Sequence, residues 1–299
     1  KACFYNPIRE FRGKIARSQR QGDAKATKQL SRTFAIFLDD AAGFYMGLLQ
    51  SLEAKRRKED PTSRTLTVKA TLGALIYAGD IARYRVQCED SQGDGKKNWD
   101  RARTCYHMAI QVAPWSGNPH NQLGVVAFQA EEDFEAVYRY MRAMLAEEPF
   151  GSATENLARA LRKGMDEAPD ISTAATAPEF LARFLHLYRM IHGLERTQLR
   201  GDPKANTVLR SLPPLVRTTA SSLSALCKNG QLTDEDLLKV FVVCIFGMST
   251  YSISSQARLG KSNAALSGEI AVLQRLSCIA VSFSLLRAAW GVYEKRVER

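Results

Sequence analysis

Strand patterning is missing from this chain, and so is every residue arrangement on which catalysis commonly rests. No segment alternates apolar and polar residues between hairpin turns, which excludes an ordinary β domain. Only four histidines occur, at 107, 120, 186 and 192. None stands at metal-ligand spacing, and His186 and His192 are too far apart for an i, i+4 pair on one helix face. There is no phosphate-cradling glycine loop, dinucleotide fingerprint or nucleophile elbow. The six cysteines (3, 88, 105, 227, 244 and 278) form no C-x-x-C pair. Scattered through apolar helical runs, they read as buried free thiols in a reducing compartment. The carboxylate clusters Asp39–Asp40 and Glu131–Glu132–Asp133 fit solvated faces or helix starts better than a two-metal site. The expectation is a non-enzyme, with no catalytic residues, no metal and no cofactor.

Apolar runs long enough to cross a bilayer are lacking too. Val240–Ala257 is uncharged, but its second half, STYSISSQA, is polar, so it reads as a buried helix and no membrane partner is expected. No signal peptide opens the chain. It begins on lysine rather than methionine, and is read as a piece of something longer.

What is present is helical periodicity, length and positive charge. At 299 residues with 45% hydrophobic content, the chain can fill one large or two ordinary domains. A formal net charge of +11 favours anionic partners: nucleic acid, phosphorylated protein or a membrane surface. Phe4, Ile8, Phe11 and Ile15 recur at helical spacing, as do Leu30, Phe34, Phe37, Leu38, Ala41, Phe44, Tyr45, Leu48 and Leu52 in a longer second helix. A third helix is predicted from about Thr65 to Arg85, and residues 89–98 form a polar, glycine-bearing loop.

Residues 99–157 contain an internal repeat. Ala102, Tyr106 and Ala109 recur as Ala136, Tyr140 and Ala143 at an offset of 34, the period of tetratricopeptide repeats; Pro114 recurs as Pro149. Asn121 and Asn156 are also 35 apart. Two readings fit them: capping or loop-facing amides, or two carboxamides aimed at one concave surface to hold a passing peptide backbone. A linker-like stretch, GMDEAPDISTAATAP, precedes further helices without the 34-residue period. Among them, Thr233 and Asp236 form a variant capping box, and a long helix is predicted over 268–297.

The first helix is basic beside its apolar stripe, with Arg9, Arg12, Lys14, Arg17 and Arg20. A solvated face is one reading. The other pairs Arg9 with arginines of GDIARYR (79–85) to bind a phosphoserine, whose dianion and three acceptor oxygens suit two guanidinium forks and a tyrosine hydroxyl. Asp80, three residues before Arg83 and four before Tyr84, is placed to hold either side chain.

FLDDAAGFYMGLLQSL, GDIARYR, SGNPHNQLGVVA, AVYRYMRAM and PFGSATENL, in this order, resemble the 14-3-3-like domain of the Est/Smg family of telomerase and nonsense-mediated mRNA decay factors, in its green-plant form. The likeness is strong over about residues 4–165 and weaker over 176–299. It implies an all-α chain: a 14-3-3-like, tetratricopeptide-type helical array (1–165, first helices missing), a linker (166–177) and an α-helical hairpin domain (178–299). It implies an adaptor that binds phosphorylated Ser/Thr-Gln sites of the up-frameshift RNA helicase and recruits mRNA decay factors or phosphatase, alongside a 14-3-3-like heterodimer partner of the same family. The cytoplasm, processing bodies and nuclear shuttling are the expected locations. By position, the phosphate site is Arg9 and Arg83 with Tyr84, helped by Arg12 or by Arg17, because Ala16 stands where 14-3-3 proteins carry a further arginine. Asn121 and Asn156 match the residues that hold ligand backbone. The alternative is an Est1-type telomerase subunit that binds single-stranded nucleic acid.

Overall fold

A computed structural model describes residues 2–60, 64–88, 97–164, 172–199 and 204–257. Among them are ten helices and no strand, as the missing alternation requires. They are α1 (Ala2–Arg20), α2 (Ala24–Lys58), α3 (Thr65–Cys88), α4 (Asp100–Val112), α5 (Gly117–Gln129), α6 (Asp133–Leu145), α7 (Ala153–Arg162), α8 (Ala177–Leu199), α9 (Lys204–Lys228) and α10 (Asp234–Ala257). The long helix predicted over 268–297, most of the 89–98 loop and the first half of the 166–177 linker lie outside the described residues.

Two compact units emerge from the packing. The first is Lys1–Glu131 with Ala146–Gly151; the second is Glu132–Leu145 with Ser152–Arg299. These units do not coincide with the domains 1–165 and 178–299, which remain a division by resemblance.

In the first unit, α1 and α2 are joined by three residues, Gln21 to Asp23, in which Gly22 has φ +72°, a backbone that glycine adopts without strain. Asp23 caps α2 by accepting from the Ala26 amide at 2.9 Å. The apolar stripes then close on one another. Ile8, Phe34, Leu38, Ala41, Tyr45, Ala78, Ile81 and Tyr84 are buried as one cluster across α1, α2 and α3. Phe11 stacks on Phe34 at 5.2 Å, and Phe4 meets Phe37, Phe44 and Tyr45. Each fully buried aromatic or leucine in such a cluster contributes about 1.5–3 kcal/mol. A second cluster, including Leu75, Trp99, Ala102, Tyr106, Ala109, Leu123 and Val126, packs α3 against α4 and α5. After α6 the chain returns to pair Glu148 with residues 115–117: Gly117 N–H donates to Glu148 O, and Glu148 N–H to Trp115 O, both at 2.9 Å.

The repeat residues occupy the positions their spacing demands. Ala102, Tyr106 and Ala109 are buried in the first unit; Ala136, Tyr140 and Ala143 are buried in the second. The small residues admit a neighbouring helix and the aromatic fills the space it leaves. Close approach is tightest at Gly79 of α3, where a β-carbon would stand 2.4 Å from Tyr106 Cε1.

In the second unit, half-buried ion pairs fasten the helices. Glu135 accepts from Arg139 at 2.6 Å and from Lys239 of α10 at 2.8 Å; Asp133 accepts from Lys163 at 2.7 Å and from the buried Arg189 of α8 at 3.0 Å. The variant capping box is formed: Asp236 N–H donates to Thr233 Oγ1 at 3.1 Å, and Thr233 N–H to Asp236 Oδ2 at 3.2 Å. Cys88, Cys105, Cys227 and Cys244 form no disulfide, the first two half-buried and the others buried. No described helix is long and apolar enough to cross a membrane.

Two predictions follow from this packing. Gly79→Ala would gain about 1 kcal/mol of helix propensity but drive a methyl into the Tyr106 ring. Overpacking of this kind destabilises by about 1–3 kcal/mol, so a net fall in chemical-denaturation midpoint is expected. The second concerns Glu135. Burial pushes its carboxyl up, yet Arg139 and Lys239 outweigh burial and hold it below its usual 4.5. A carboxyl lowered by folding adds stability above its unfolded value, and loses it as pH falls through the folded one. Glu135→Gln should therefore lower the melting temperature at pH 7, and the gap from wild type should shrink as the pH is brought below 4, as read by calorimetry.

Candidate functional site

Three helices of the first unit converge on one carboxylate. Asp80 lies mid-way along α3 and is 5% exposed. Its Oδ1 accepts from the Tyr106 hydroxyl of α4 at 2.7 Å and from Arg83 Nη2 at 3.2 Å; its Oδ2 accepts from the Tyr5 hydroxyl of α1. Burial, then the nearby Asp80, pushes both tyrosine hydroxyls well above their ordinary range, so both stay protonated donors. For Tyr106 the Arg83 charge pulls the other way without reversing the sign.

Arg83 is 7% exposed. Burial works against its charge, but Tyr106, Asp80 and Tyr84 outweigh burial and hold the guanidinium above its usual range. It lies over the Tyr84 ring at 4.4 Å, a cation–π contact. Its Nε is buried and finds no acceptor among the described residues. A buried, unsatisfied nitrogen of a charged fork is costly, and an acceptor from outside the chain would relieve it.

Arg12 of α1 lies over the same Tyr84 ring at 5.0 Å. Arg9 is four residues after Tyr5 and three before Arg12, so all three share one face of α1. Because Tyr5 reaches Asp80 and Arg12 reaches Tyr84, that face is turned to the Asp80–Tyr84 stretch of α3. Arg9 and Arg12 are exposed, whereas Arg83 and Tyr84 are buried. The Arg83 charge is largely offset by Asp80, so uncompensated positive potential comes from the two exposed arginines. Ala16, where a further arginine was sought, is exposed. Arg85, left unassigned by sequence, pairs with Asp39 of α2 at 3.1 Å.

The structure thus brings four predicted residues, Arg9, Arg12, Arg83 and Tyr84, to one region of α1 and α3. The asparagines differ. Asn121 is buried in the second turn of α5 in the first unit; Asn156 is half-buried at the start of α7 in the second. The helix caps there are Ser116 and Ser152, so neither asparagine is a cap. Two site residues were missed by sequence reasoning. Tyr5 lay beside the apolar stripe of α1 and was given no role, and Tyr106 had been assigned wholly to the repeat. The signal for Tyr106 was available: a glycine directly before Asp80 leaves room for a ring to cross.

A separate cavity of about 420 Å3 lies between α2, α3 and α4, with Leu38, Met46, Ile81 and Cys105 in its wall and the Asp39–Arg85 pair at its edge. It contains none of Arg9, Arg12 or Arg83. The charged cluster, not this cavity, has the chemistry to take an anion. No group of three or more potential metal ligands occurs among the described residues.

Comparison with known proteins agrees with the helical array. An Arabidopsis thaliana protein named nonsense-mediated mRNA decay factor SMG7 is 33% identical over 165 residues, which is 48% of this chain and 15% of the relative. The chain therefore spans less than a fifth of that protein's length. Two solved structures share the fold. One, a crystal structure of Est1 and Cdc13, matches with a TM-score of 0.68 at 13% identity over 95% of this chain and 59% of its own. The other, the Caenorhabditis elegans SMG5–SMG7 complex, matches with a TM-score of 0.55 at 16% identity over all of this chain and 67% of its own. The model of the Est1 DNA/RNA-binding domain matches residues 102–289, well over half of the chain, and it is to this family that the chain belongs.

Proposed function

We propose that this chain is a phosphoserine/phosphothreonine-peptide-binding adaptor of nonsense-mediated mRNA decay, and not an enzyme. Its ligand is the phosphorylated up-frameshift RNA helicase, and it links that ligand to mRNA decay or dephosphorylation machinery in the cytoplasm. One observation carries the reading. A buried arginine, tethered through Nη2, retains a buried unpartnered Nε and is stacked on a tyrosine shared with an exposed arginine. A phosphate monoester supplies the charge and acceptors this cluster lacks. Arg83 provides the directed donors, Arg9 and Arg12 provide net attraction, and Tyr84 keeps the guanidinium planes in place. Asn121 and Asn156 are assigned to the ligand backbone. A relative named as a decay factor supports the pathway. The structural likeness to a complex of two such factors supports a heterodimer partner from the same family.

The test is fluorescence anisotropy with a phospho-Ser-Gln peptide and its unphosphorylated twin. Tighter binding of the phosphorylated peptide is expected, and equal affinity would refute the reading. Arg83→Glu should remove at least the charge-assisted hydrogen bonds, about 1.5–3 kcal/mol, or roughly tenfold or more in affinity. Arg12→Glu should weaken the phosphorylated peptide alone, and the difference from wild type should narrow at high salt.

A second reading, an Est1-type telomerase subunit binding single-stranded nucleic acid, is favoured by the net charge of +11 and by the family description. Stacking on exposed aromatics would be needed. Most described aromatics are buried or packed on one another; Phe44, though 54% exposed, meets Phe4 and Tyr45. Gel shifts with single-stranded RNA decide it: this reading expects retardation that weakens steeply with salt, and no shift at moderate salt would end it.

A further inference from the structure

Asp80 and Arg83 are three residues apart on one helix, a spacing at which a carboxylate and a guanidinium readily pair through both oxygens and two nitrogens. They do not pair that way here. Each Asp80 oxygen accepts from a tyrosine hydroxyl, Oδ2 from Tyr5 and Oδ1 from Tyr106, and these directional bonds set the orientation of the carboxylate. Arg83 reaches Asp80 only through Nη2, on Oδ1 at 3.2 Å, and its guanidinium also interacts with the Tyr106 hydroxyl. Its Nε is left buried without an acceptor. The two tyrosines come from α1 and α4, on either side of α3 in the sequence, and Gly79 makes way for the second.

We propose that Tyr5 and Tyr106 are positioning residues of the anion site: by bonding one Asp80 oxygen each they fix the orientation of the carboxylate, so that Arg83 meets it through Nη2 and not through a two-pronged pair, and its Nε side is left to be completed by a phosphate monoester. Without them, Asp80 would turn both oxygens on Arg83 and act as an internal competitor for the ligand. The inference rests on the phosphopeptide reading above and adds to it the control of the same site. It also accounts for a hydroxyl on Tyr5, since the ring alone would serve its edge contact with Tyr77 at 5.3 Å.

Tyr5 gives the cleaner test, because phenylalanine keeps that ring contact on a half-buried residue of α1. Tyr5→Phe should weaken the phospho-Ser-Gln peptide about tenfold, the scale of one charge-assisted hydrogen bond. It should leave the unphosphorylated twin near wild type and lower the melting temperature by only the few degrees that one lost buried hydrogen bond costs. Adding Asp80→Asn should restore most of the loss, since an amide cannot neutralise Arg83; a merely structural tyrosine would give no such rescue. Tyr106→Phe should shift the phosphorylated peptide in the same direction. An unchanged affinity in Tyr5→Phe, an equal loss for both peptides, or a loss that Asp80→Asn leaves in place would overturn the inference while the phosphopeptide reading stands. Wild-type protein that ignores phosphorylation would overturn both.

Discussion

A single buried carboxylate organises the first unit. Asp80 is buried within α3, and burying it is tolerable only because both of its oxygens are hydrogen-bonded. Those bonds come from α1, from α4 and from its own helix. The hydroxyl of Tyr106 is reachable because residue 79 has no side chain, and that of Tyr5 because the aromatic cluster around Phe4 and Tyr45 seats α1 on α2. Hydrophobic contact brings these helices together without fixing their rotation. The hydrogen bonds to Asp80 are directional, and they set which face of α1 meets α3.

That choice of face decides the electrostatics. Turning Tyr5 inward also turns Arg9 and Arg12 toward Tyr84, leaving two exposed cations beside a buried, compensated one. The division of labour is physical: charges in water act at a distance and are screened, whereas a desolvated guanidinium acts at contact and is screened little. In the second unit the ion pairs of Asp133 and Glu135 do different work. They join α6 to α8 and α10, and each carboxylate there is matched by two cations.

Helical content was legible from periodicity, and so was the repeat, because alanines and tyrosines 34 residues apart could not all be accidental. The capping box at Thr233 and Asp236 was read correctly from two side chains. Arg83 and its link to Asp80 were legible because three residues on a helix are neighbours whatever the fold. Tyr5 and Tyr106 were not, since their bonds to Asp80 span 75 and 26 residues and depend on helix packing that no local pattern encodes. Arg85 looked identical to Arg83 in sequence, and only the position of α2 assigned it to Asp39. The compact units were invisible for a related reason: the boundary at Glu131 falls inside a regular repeat, marked only by that residue's φ of +61°.

The return of residues 146–151 to the first unit bears on how the chain matures. The backbone bonds between Glu148 and residues 115–117 join segments on either side of α6, which belongs to the second unit. During synthesis from the N-terminus, the first unit therefore stays incomplete until α6 has already emerged. A break anywhere between 132 and 145 would sever the covalent tether of its closing segment while leaving α1 to α5 in one piece. The two units are in this sense interleaved in time, each begun before the other is finished.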